Sequence, residues 1–240
     1  MKIYCISDTH GQKFDHLIPE CDILVHAGDI CPNTDHSFYY QQNWVHNTFL
    51  PSLQNIKAKH IVFIAGNHDF YFQEIMKAPN KEQIFKQNLP NNIHYLRDSG
   101  CEINGVKFWG TPWVINLPFW AFSKSESNDE NYSHRDESEF LSEVYGKIPK
   151  DVDFLISHGP AYGFCDQILE HNMTNHLGSK SLLNAIMFSQ PKYVISGHIH
   201  SANHNGEVIV HPGKQTNLFC TSVLDEKYKL GKYQPKMIEI

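Results

Sequence analysis

The segment HIVFIAGNHD, residues 60–69, contains the pattern that decides the fold of this chain. An apolar run over residues 60–65 ends abruptly at the polar cluster Gly66-Asn67-His68-Asp69. Short runs that are rich in isoleucine, valine and phenylalanine and close at a glycine are typical of buried β-strands. In parallel sheets, the loops after the carboxyl ends of the strands converge on one crevice. The cluster is therefore expected to face a functional site.

The same pattern of an apolar run followed by a polar cluster occurs four more times along the chain. These predicted strands cover residues 2–6, 22–27, 153–156 and 193–196. The stretches between the strands predict helices at residues 37–52, 81–87, 137–145 and 179–188. Strands that alternate with helices are typical of an α/β fold.

The last third of the chain contains further strand patterns that are joined by short turns. We predict strands at residues 102–109, 207–211, 216–224 and 236–240, with hairpin turns at Asn104-Gly105 and Asn205-Gly206. The sheet is therefore expected to be α/β in part and a meander in part. The polar segment at residues 123–139 predicts a solvated loop or an exposed helix start, with a domain boundary as the alternative. We expect a single domain over residues 1–240.

Charge and composition exclude several classes of protein. The 240 residues include 20 lysines and arginines against 26 aspartates and glutamates, a formal net charge of −6. Only Arg97 and Arg135 are arginines. Because non-specific nucleic-acid binding requires many cations that neutralise phosphates, we expect no stable nucleic-acid complex. A small anionic substrate is compatible with this charge, because bound metal ions can supply positive charge.

The cysteine pattern and the first residues predict a cytoplasmic protein. The six cysteines are scattered without a CxxC pair, which is typical of free thiols in a reducing compartment. The opening MKIYCISDTHG reads as a strand and a turn, without the features of a signal peptide. No uncharged apolar stretch reaches the roughly 18 residues that a membrane-spanning helix requires. We therefore expect no membrane contact, and the sequence leaves the oligomeric state open.

The five strand ends carry side chains of the types that bind metal ions. These residues are Asp8, His10, Asp29, Asn67, His68, His158, His198 and His200. Turn chemistry alone favours serine, asparagine, proline and glycine, and it gives no reason for histidine at each end. The set lacks thiolates, which excludes zinc ribbons and iron–sulfur clusters and favours Mn, Fe or Zn in an open catalytic site. The set is too large for one ion with an open position, so it indicates two ions that share a carboxylate.

The spacing within the clusters also favours ligand binding. In Asp8-Thr9-His10 and in His198-Ile199-His200, the two outer side chains lie on the same face of an extended backbone. A glycine stands directly before a predicted ligand at Gly28, Gly66 and Gly197. Glycine permits tight turns and a close approach of the backbone to a ligand.

Taken together, these motifs resemble the signature of the calcineurin-like metallophosphoesterases. That signature contains the patterns DxH, GD, GNHD, H and GHxH in this order, and here it extends from Asp8 to His200. The segments Gly-Thr-Pro-Trp at residues 110–113 and Ser-His-Gly-Pro at residues 157–160 are most like the MPPED-type, class III cyclic-nucleotide phosphodiesterase-like subgroup. The resemblance implies a four-layer α/β/β/α sandwich with mixed sheets that are flanked by helices.

The resemblance also implies two divalent metal ions, with Mn²⁺ preferred and Fe, Zn, Mg or Ni as alternatives. The ligands expected for one ion are Asp8, His10, Asp29 and His200. The ligands expected for the other ion are Asp29, Asn67, His158 and His198, so that Asp29 bridges the two. Two ions about 4 Å apart activate a water between them and hold both oxygens of an in-line displacement.

The activity that the resemblance implies is phosphoester hydrolysis. We expect a phosphodiesterase that acts on small phosphodiesters such as cyclic nucleotides. The alternatives are a phosphomonoesterase or nucleotide pyrophosphatase on the same centre, a nuclease of the DNA-repair type, and a non-enzymatic scaffold on this fold. His68 is expected to protonate the leaving oxygen or to stabilise charge on the phosphoryl group, a contribution on the order of 10²–10⁴-fold. Asp69 is expected either to orient His68 in catalysis or to cap the following helix.

The aromatic segment at residues 110–122 leaves two interpretations open. It is either a packed part of the core or a cap over the site that stacks on a nucleobase or aryl group. The predicted substrate contacts are Asn67, His68, Trp113 and Tyr162. The remaining histidines are expected to be structural or at the surface, with His211 the one best placed to reach the crevice.

Overall fold

A computed structural model of the chain describes residues 1–126, 139–170 and 173–240. The strands in these residues are β1 (Lys2–Ile6), β2 (Cys21–Ala27), β3 (Ala58–Ile64), β4 (Ile93–Tyr95), β5 (Ser99–Ile103), β6 (Val106–Thr111), β7 (Val114–Ile115), β8 (Ser123–Lys124), β9 (Phe154–Ser157), β10 (Gln167–Glu170), β11 (Met173–His176), β12 (Tyr193–Ser196), β13 (Glu207–His211), β14 (Lys214–Cys220) and β15 (Lys236–Glu239). The helices are α1 (Phe38–Trp44), α2 (Leu50–Leu53), α3 (Phe70–Met76), α4 (Pro79–Gln87), α5 (Leu141–Tyr145) and α6 (Lys180–Ser189).

Two mixed sheets contain most of these strands. The first sheet has the order β15-β1-β2-β3-β4, with β1 to β4 parallel and β15 antiparallel at one edge. The second sheet has the order β13-β14-β12-β9-β6-β5, parallel from β14 to β6 and antiparallel at both edges. The five predicted strands that end in polar clusters, β1, β2, β3, β9 and β12, all lie in the parallel parts. Their carboxyl ends therefore share an edge within each sheet.

Alternation of side chains along the strands separates an inner core from an outer one. In β2, Ile23 and Val25 belong to the cluster between the sheets, whereas Leu24 belongs to the cluster that contains the helix residues. The second sheet repeats this pattern in β9, where Phe154 packs inward and Leu155 packs outward. Because successive side chains of a strand point to opposite faces, both faces of each sheet are buried.

Helices cover the outer faces of the two sheets. Phe72 of α3 lies with its ring centroid 6.0 Å from that of Phe63 in β3. Leu182 and Ile186 of α6 are fully buried in the cluster that also contains Val194 of β12. The expected four-layer α/β/β/α sandwich of mixed sheets is thereby confirmed.

One predicted helix is interrupted. The pattern at residues 37–52 is divided into α1, a π-helical turn (Val45–Phe49) and α2. Pro51 lies in the first turn of α2, and its nitrogen carries no hydrogen to donate to the carbonyl of Asn47. The regular α-helical hydrogen-bond pattern is therefore replaced by a π-helical turn before the proline. Helix α3 and strand β4 were not predicted from the sequence.

The two predicted hairpin turns have different outcomes. Asn104-Gly105 joins β5 and β6, and its φ values of 51° and 80° are those that a two-residue hairpin turn requires. The single strand predicted at residues 102–109 is therefore interrupted by this turn and belongs to two strands. The prediction for Asn205-Gly206 is wrong, because the hairpin of β13 and β14 turns at Pro212-Gly213. Gly206 is needed for another reason: a Cβ there would lie 2.3 Å from the Phe219 ring. The first residues of the predicted helix at 137–145 lie outside the described residues.

Candidate metal centre

The two sheets meet at the carboxyl edge of their parallel strands. The N–H of Ser7, which follows β1, donates to the carbonyl of Thr221, which follows β14, at 2.9 Å. The N–H of Gly197 donates to the carbonyl of His158 at 3.0 Å, which links the ends of β12 and β9. All the loops that carry predicted ligands therefore open onto one cleft between the sheets.

The carboxylate of Asp29 lies at the centre of this cleft. Its Oδ2 is 3.3 Å from Nε2 of His158, 3.7 Å from Nε2 of His10 and 3.9 Å from Nε2 of His68. Two atoms that bind one ion at about 2.1 Å each are at most about 4.2 Å apart. These distances are therefore compatible with shared coordination of an ion by Asp29 and neighbouring imidazoles.

A second cluster lies around Asp8. Nε2 of His200 is 3.5 Å from Oδ1 of Asp8 and 3.4 Å from Nε2 of His10. One ligand atom from each of these three residues lies within 4.8 Å of the others. The same limit holds for Asp8, Asp29 and His158, so the two clusters are continuous. Asp29 thus lies beside both clusters, and its role as the carboxylate shared by two ions stays a prediction.

Asn67, which follows β3 of the first sheet, and His198, which follows β12 of the second, complete the predicted set. Oδ1 of Asn67 is 3.0 Å from Nε2 of His158. The ring of His198 lies edge-on to that of His158, with centroids 5.3 Å apart. The backbone N–H of His198 also donates to both oxygens of Asp8, at 3.0 and 3.2 Å. The seven predicted metal ligands thus lie in one cleft.

The backbone fixes the orientation of two of the imidazoles. Nδ1 of His158 donates to the carbonyl of Ala27 at 2.8 Å, and Nδ1 of His200 donates to the carbonyl of Asp225 at 2.9 Å. A proton on Nδ1 leaves the lone pair on Nε2, which faces the carboxylates. Metal-binding histidines are commonly held in this way by a backbone carbonyl. The donor set therefore fits divalent metal ions.

Glycines permit the close approach of the loops. A Cβ at Gly66 would lie 2.4 Å from Oδ1 of Asp29, and a Cβ at Gly197 would lie 2.4 Å from Oδ2 of Asp8. At Gly28, which has a φ of 95°, a Cβ would lie 2.6 Å from Nδ1 of His158. The close approach that these glycines were expected to permit is present at all three positions.

The backbone of the ligands themselves is strained. Asp8, His10, Asp29 and His198 have φ values of 55°, 44°, 55° and 68°. Non-glycine residues rarely adopt this left-handed region, and each costs of order 1–3 kcal/mol. Four of the seven predicted ligands carry this cost, and such strain is typical of functional sites.

The cleft stabilises charged carboxylates. Burial acts to raise the pKa of Asp8, but the hydrogen bond and charge of His200 lower it below its usual range. Burial also opposes ionisation of Asp29, but His158 holds its pKa well below the ordinary value. Burial acts to lower the pKa of both histidines, but the neighbouring carboxylates outweigh it. Asp29 raises the pKa of His158 to about 9, and Asp8 raises the pKa of His200 to about 9. Without metal, two protonated imidazoles therefore neutralise the two carboxylates.

Asp69 is placed to hold loops and makes no hydrogen bond to the His68 ring. Its carboxylate accepts the backbone N–H groups of Ile30 at 3.0 Å, Cys31 at 2.8 Å and Gly66 at 2.7 Å. Although Asp69 stands directly before α3, its side chain does not cap that helix. Asp69 therefore neither orients His68 nor caps α3, as had been expected. Instead, its hydrogen bonds hold the loop after β2, which carries Asp29, against the loop after β3, which carries Gly66.

The structure corrects the assignment of Trp113 as a substrate contact. Trp113 is only 6% exposed, and its Nε1 donates to the carboxylate of Asp98 at 2.9 Å. Its ring belongs to the core, which is the first of the two interpretations of the aromatic segment. The recorded ring contacts of Tyr162 are with His176, at 5.2 Å between centroids, and with Nζ of Lys180, at 5.0 Å. These contacts do not include a predicted ligand.

Three other aromatic side chains lie against the site. Trp120 belongs to the aromatic segment for which a cap over the site was the second interpretation, whereas His36 and Tyr228 were not predicted as site residues. The ring centroid of Trp120 is 4.3 Å from that of His68, and Nε2 of His36 is 3.4 Å from Nδ1 of His68. The ring of Tyr228 lies 5.0 Å from that of His10. His36 was expected to be structural or at the surface. In contrast, His211 is structural, because its Nε2 is 2.9 Å from Oγ1 of Thr216.

A sandwich of this type, with a cluster of carboxylates, imidazoles and an amide at its carboxyl edge, defines a class of metal-dependent hydrolases. The family model of calcineurin-like phosphoesterases matches residues 1–202. The chain therefore belongs to the calcineurin-like phosphoesterase family, as its motifs indicated. Family membership supports metal-dependent phosphoester hydrolysis and divalent metal ions as cofactors.

Similar proteins agree with this assignment. The human metallophosphoesterase domain-containing protein 1 is 29% identical over 220 residues, which cover 83% of this chain and 60% of the human protein. A UPF0046 protein of Caenorhabditis elegans is 29% identical over 209 residues, which cover 83% of this chain and 63% of that protein. The chain thus spans less than two thirds of the length of these relatives. The first relative confirms the likeness to the MPPED-type subgroup.

A solved structure supports the fold alone. The crystal structure of TT1561 of Thermus thermophilus has a TM-score of 0.54 and 15% sequence identity, and the match covers 97% of this chain and 98% of that chain. Among the described residues, none of the helices combines the length and the apolar composition of a membrane-spanning segment.

The Gly197→Ala variant tests the close approach of the loops. The added Cβ meets Oδ2 of Asp8, so we expect the carboxylate to be displaced and the divalent-metal content of the purified protein to fall by at least about half. The matched control is Gly146→Ala, where the Cβ meets the carbonyl oxygens of Ser142 at 3.1 Å and Glu143 at 3.4 Å and no predicted ligand. Metal analysis of both variants, with circular dichroism for the fold, measures the effect. Full metal content in Gly197→Ala would contradict the geometry.

The stability of the metal-free protein should depend on pH. Because the folded-state pKa values of His158 and His200 are raised to about 9, their protonated forms stabilise the fold. This contribution is fully present below about pH 6.5 and is lost as the pH rises through about 9. We expect the Tm of EDTA-treated protein to fall across this window, and excess Mn²⁺ to reduce the fall. A constant or rising Tm in EDTA would refute the pairing.

Proposed function

We propose that the chain is a dinuclear metal-dependent phosphodiesterase that acts on small phosphodiesters, such as cyclic nucleotides. The observation that supports this most is the position of Asp29, whose Oδ2 lies within 3.9 Å of three imidazole nitrogens. In this proposal, the residues that hold one ion are Asp8, His10, Asp29 and His200. The residues that hold the other are Asp29, Asn67, His158 and His198.

The proposed ions are Mn²⁺. When bound, two such ions supply Lewis-acid activation of water and neutralise charge on the phosphoryl oxygens. Hydrolysis then breaks one P–O ester bond, adds water, and gives a phosphomonoester and an alcohol. The chain's contribution is to hold the ligands in place against backbone strain and to keep the neutral amide of Asn67 among them. A neutral ligand binds metal without repelling an incoming phosphate.

The charge of the site favours a diester over a monoester. In the described residues, every recorded ion-pair partner of Asp8 and Asp29 is a histidine. With neutral imidazoles, the charges of two divalent ions exceed those of the two carboxylates by two. A phosphodiester carries one negative charge and leaves one positive charge for a deprotonated nucleophile. A monoester dianion would use both.

His68 is proposed to stabilise the leaving oxygen. Its Nε2 is 3.9 Å from Oδ2 of Asp29, which places the imidazole beside the proposed centre. Burial lowers the pKa of His68 to about 4, so the ring is neutral near neutral pH. A neutral imidazole donates a hydrogen bond from one nitrogen, which supports charge stabilisation rather than transfer of a proton from an imidazolium.

Relative rates on a diester and its monoester test the proposed activity. We expect the Mn²⁺-loaded chain to hydrolyse bis(p-nitrophenyl) phosphate with a kcat/KM at least about 10-fold above that for p-nitrophenyl phosphate, because the site's charge matches a monoanion. Hydrolysis of 2′,3′- and 3′,5′-cyclic nucleotides then tests the natural class. A preference for the monoester would favour the phosphomonoesterase alternative. A metal-loaded chain that cleaves neither would favour the scaffold.

The His68→Asn variant tests the proposed role of His68. We expect kcat on bis(p-nitrophenyl) phosphate to fall on the order of 10²–10⁴-fold, while the metal content stays near that of the wild type. His16→Asn is the matched control, because the His16 side chain is 60% exposed. An unchanged kcat would remove His68 from the mechanism. Loss of metal would instead make His68 a ligand, which its distance to Asp29 permits.

A further inference from the structure

Four aromatic rings form a continuous row across the candidate metal centre. The ring centroids are 4.3 Å apart from Trp120 to His68, 4.6 Å apart from His68 to His10, and 5.0 Å apart from His10 to Tyr228. The two imidazoles in the middle of the row face the carboxylate of Asp29. The outer rings therefore border the centre at opposite ends of the row.

The Trp120 end is tied to the loop of a predicted metal ligand. The N–H of Ala121 donates to the carbonyl of Asn67 at 3.1 Å, and the N–H of Phe122 donates to Oε1 of Gln73 at 2.7 Å. His36 packs against the same ring, with centroids 5.4 Å apart. Trp120 as a whole remains half-buried, so these contacts do not enclose the residue completely.

At the other end of the row, Tyr228 is held by two imidazole rings and by a backbone hydrogen bond. Its ring lies edge-on to His10 and to His200, with centroids 5.0 and 5.2 Å away. Its carbonyl accepts a hydrogen bond from Nε2 of Gln12 at 2.8 Å. The residue has a φ of 57° and is 44% exposed. A large aromatic side chain is thus held in a strained conformation over the site while much of its surface faces solvent.

We propose that Trp120 and Tyr228 bind the two ester groups of the substrate, with Trp120 stacking on a planar leaving group and Tyr228 contacting the group that is retained. This inference rests on the proposed phosphodiesterase function. The leaving group is assigned to the Trp120 end because Trp120 contacts His68, the residue proposed to stabilise the leaving oxygen. A diester with two separate ester groups fills both ends. A monoester fills one end, and so does the ring of a cyclic nucleotide, whose two ester oxygens belong to the same sugar.

The substrate class that follows is a small phosphodiester with a planar ring on the leaving side. Stacking of a planar ring on tryptophan or tyrosine is worth several-fold in affinity and tolerates different ring systems. Aryl groups and nucleobases share this chemistry. Neither end requires a charged side chain, which agrees with a substrate whose single charge is neutralised at the metal centre.

Three probes with the same leaving group separate the two ends. They are p-nitrophenyl phosphate, methyl p-nitrophenyl phosphate and phenyl p-nitrophenyl phosphate. Each variant is compared with the wild type on the same probe, so differences in intrinsic reactivity cancel. Leucine at either position keeps an apolar side chain against the histidines but removes the ring, whereas phenylalanine keeps a ring.

We expect the Trp120→Leu variant to lose about 10-fold in kcat/KM on all three probes, because all three have the same leaving ring. The Tyr228→Leu variant should lose about 5-fold on the phenyl diester and less than about 2-fold on the methyl diester and the monoester. Trp120→Phe and Tyr228→Phe should stay within about 3-fold of the wild type. Tyr39→Leu, which removes an aromatic side chain that is 81% exposed on α1, is the matched control.

A merely structural role would give another pattern. Equal losses for the leucine and phenylalanine variants, or a loss in Tyr228→Leu that is the same on all probes, would overturn the inference. A wild type that prefers the monoester would overturn the proposed function instead, since the inference is judged from ratios of variant to wild type.

Binding to the Mn²⁺-loaded protein gives the same comparison without turnover. Calorimetry should show that diphenyl phosphate binds more tightly than dimethyl phosphate, and that both leucine variants reduce this difference. A second pair of ligands, adenosine 3′,5′-cyclic phosphate and ribose 3,5-cyclic phosphate, differs only in the nucleobase. Tighter binding of the first ligand of this pair would indicate a nucleotide substrate, and a difference confined to the phenyl pair would indicate an aryl ester. Equal affinities for the ringed and ringless ligands of both pairs would overturn the inference.

Discussion

The burial of two carboxylates in one cleft is the constraint on which the rest of this structure depends. Asp8 is fully buried and Asp29 is only 2% exposed, and charged groups in such surroundings need compensating positive charge. Among the described residues, the ion-pair partners of both carboxylates are imidazoles. The cleft is therefore neutral only when those imidazoles are protonated or when cations replace the protons, and metal binding must be coupled to proton release. Four predicted ligands also have a left-handed backbone conformation, and the surrounding fold has to offset the energy of this strain as well.

A third buried carboxylate stabilises this arrangement from behind. Asp69 accepts three backbone N–H groups, and these hydrogen bonds fix the loop after β2 relative to the loop after β3. Burial and the nearby charge of Asp29 raise the pKa of Asp69 to about 6, which shows that its position is costly. The sequence could not distinguish this role from helix capping, because an aspartate directly before a helix is the usual sign of a cap. Which backbone groups it reaches depends on the packing of two loops that are remote in sequence.

The parts of the fold and site that could be predicted are those with local causes. Apolar runs that close at glycine predicted the five strands whose ends meet, and the residue types there predicted the cluster. The aromatic neighbours could not be predicted in the same way. Trp113 and Trp120 lie in one apolar segment, but Trp113 enters the core and Trp120 reaches His68 after left-handed residues at Asn116 and Phe119 redirect the chain. Tyr228 belongs to a loop without a motif, so only the tertiary structure reveals its contact with His10.

Selectivity in this site has to come from short-range contacts. The chain has a formal net charge of −6, so its overall field does not attract an anionic substrate. At physiological salt, charges separated by more than about 8 Å are largely screened, and the attraction of bound cations acts only inside the cleft. That attraction is the same for any phosphate ester of equal charge. Discrimination among such esters therefore falls to the groups that touch the organic substituents. The rings of Trp120 and Tyr228, at the two ends of the histidine row, are proposed to do this.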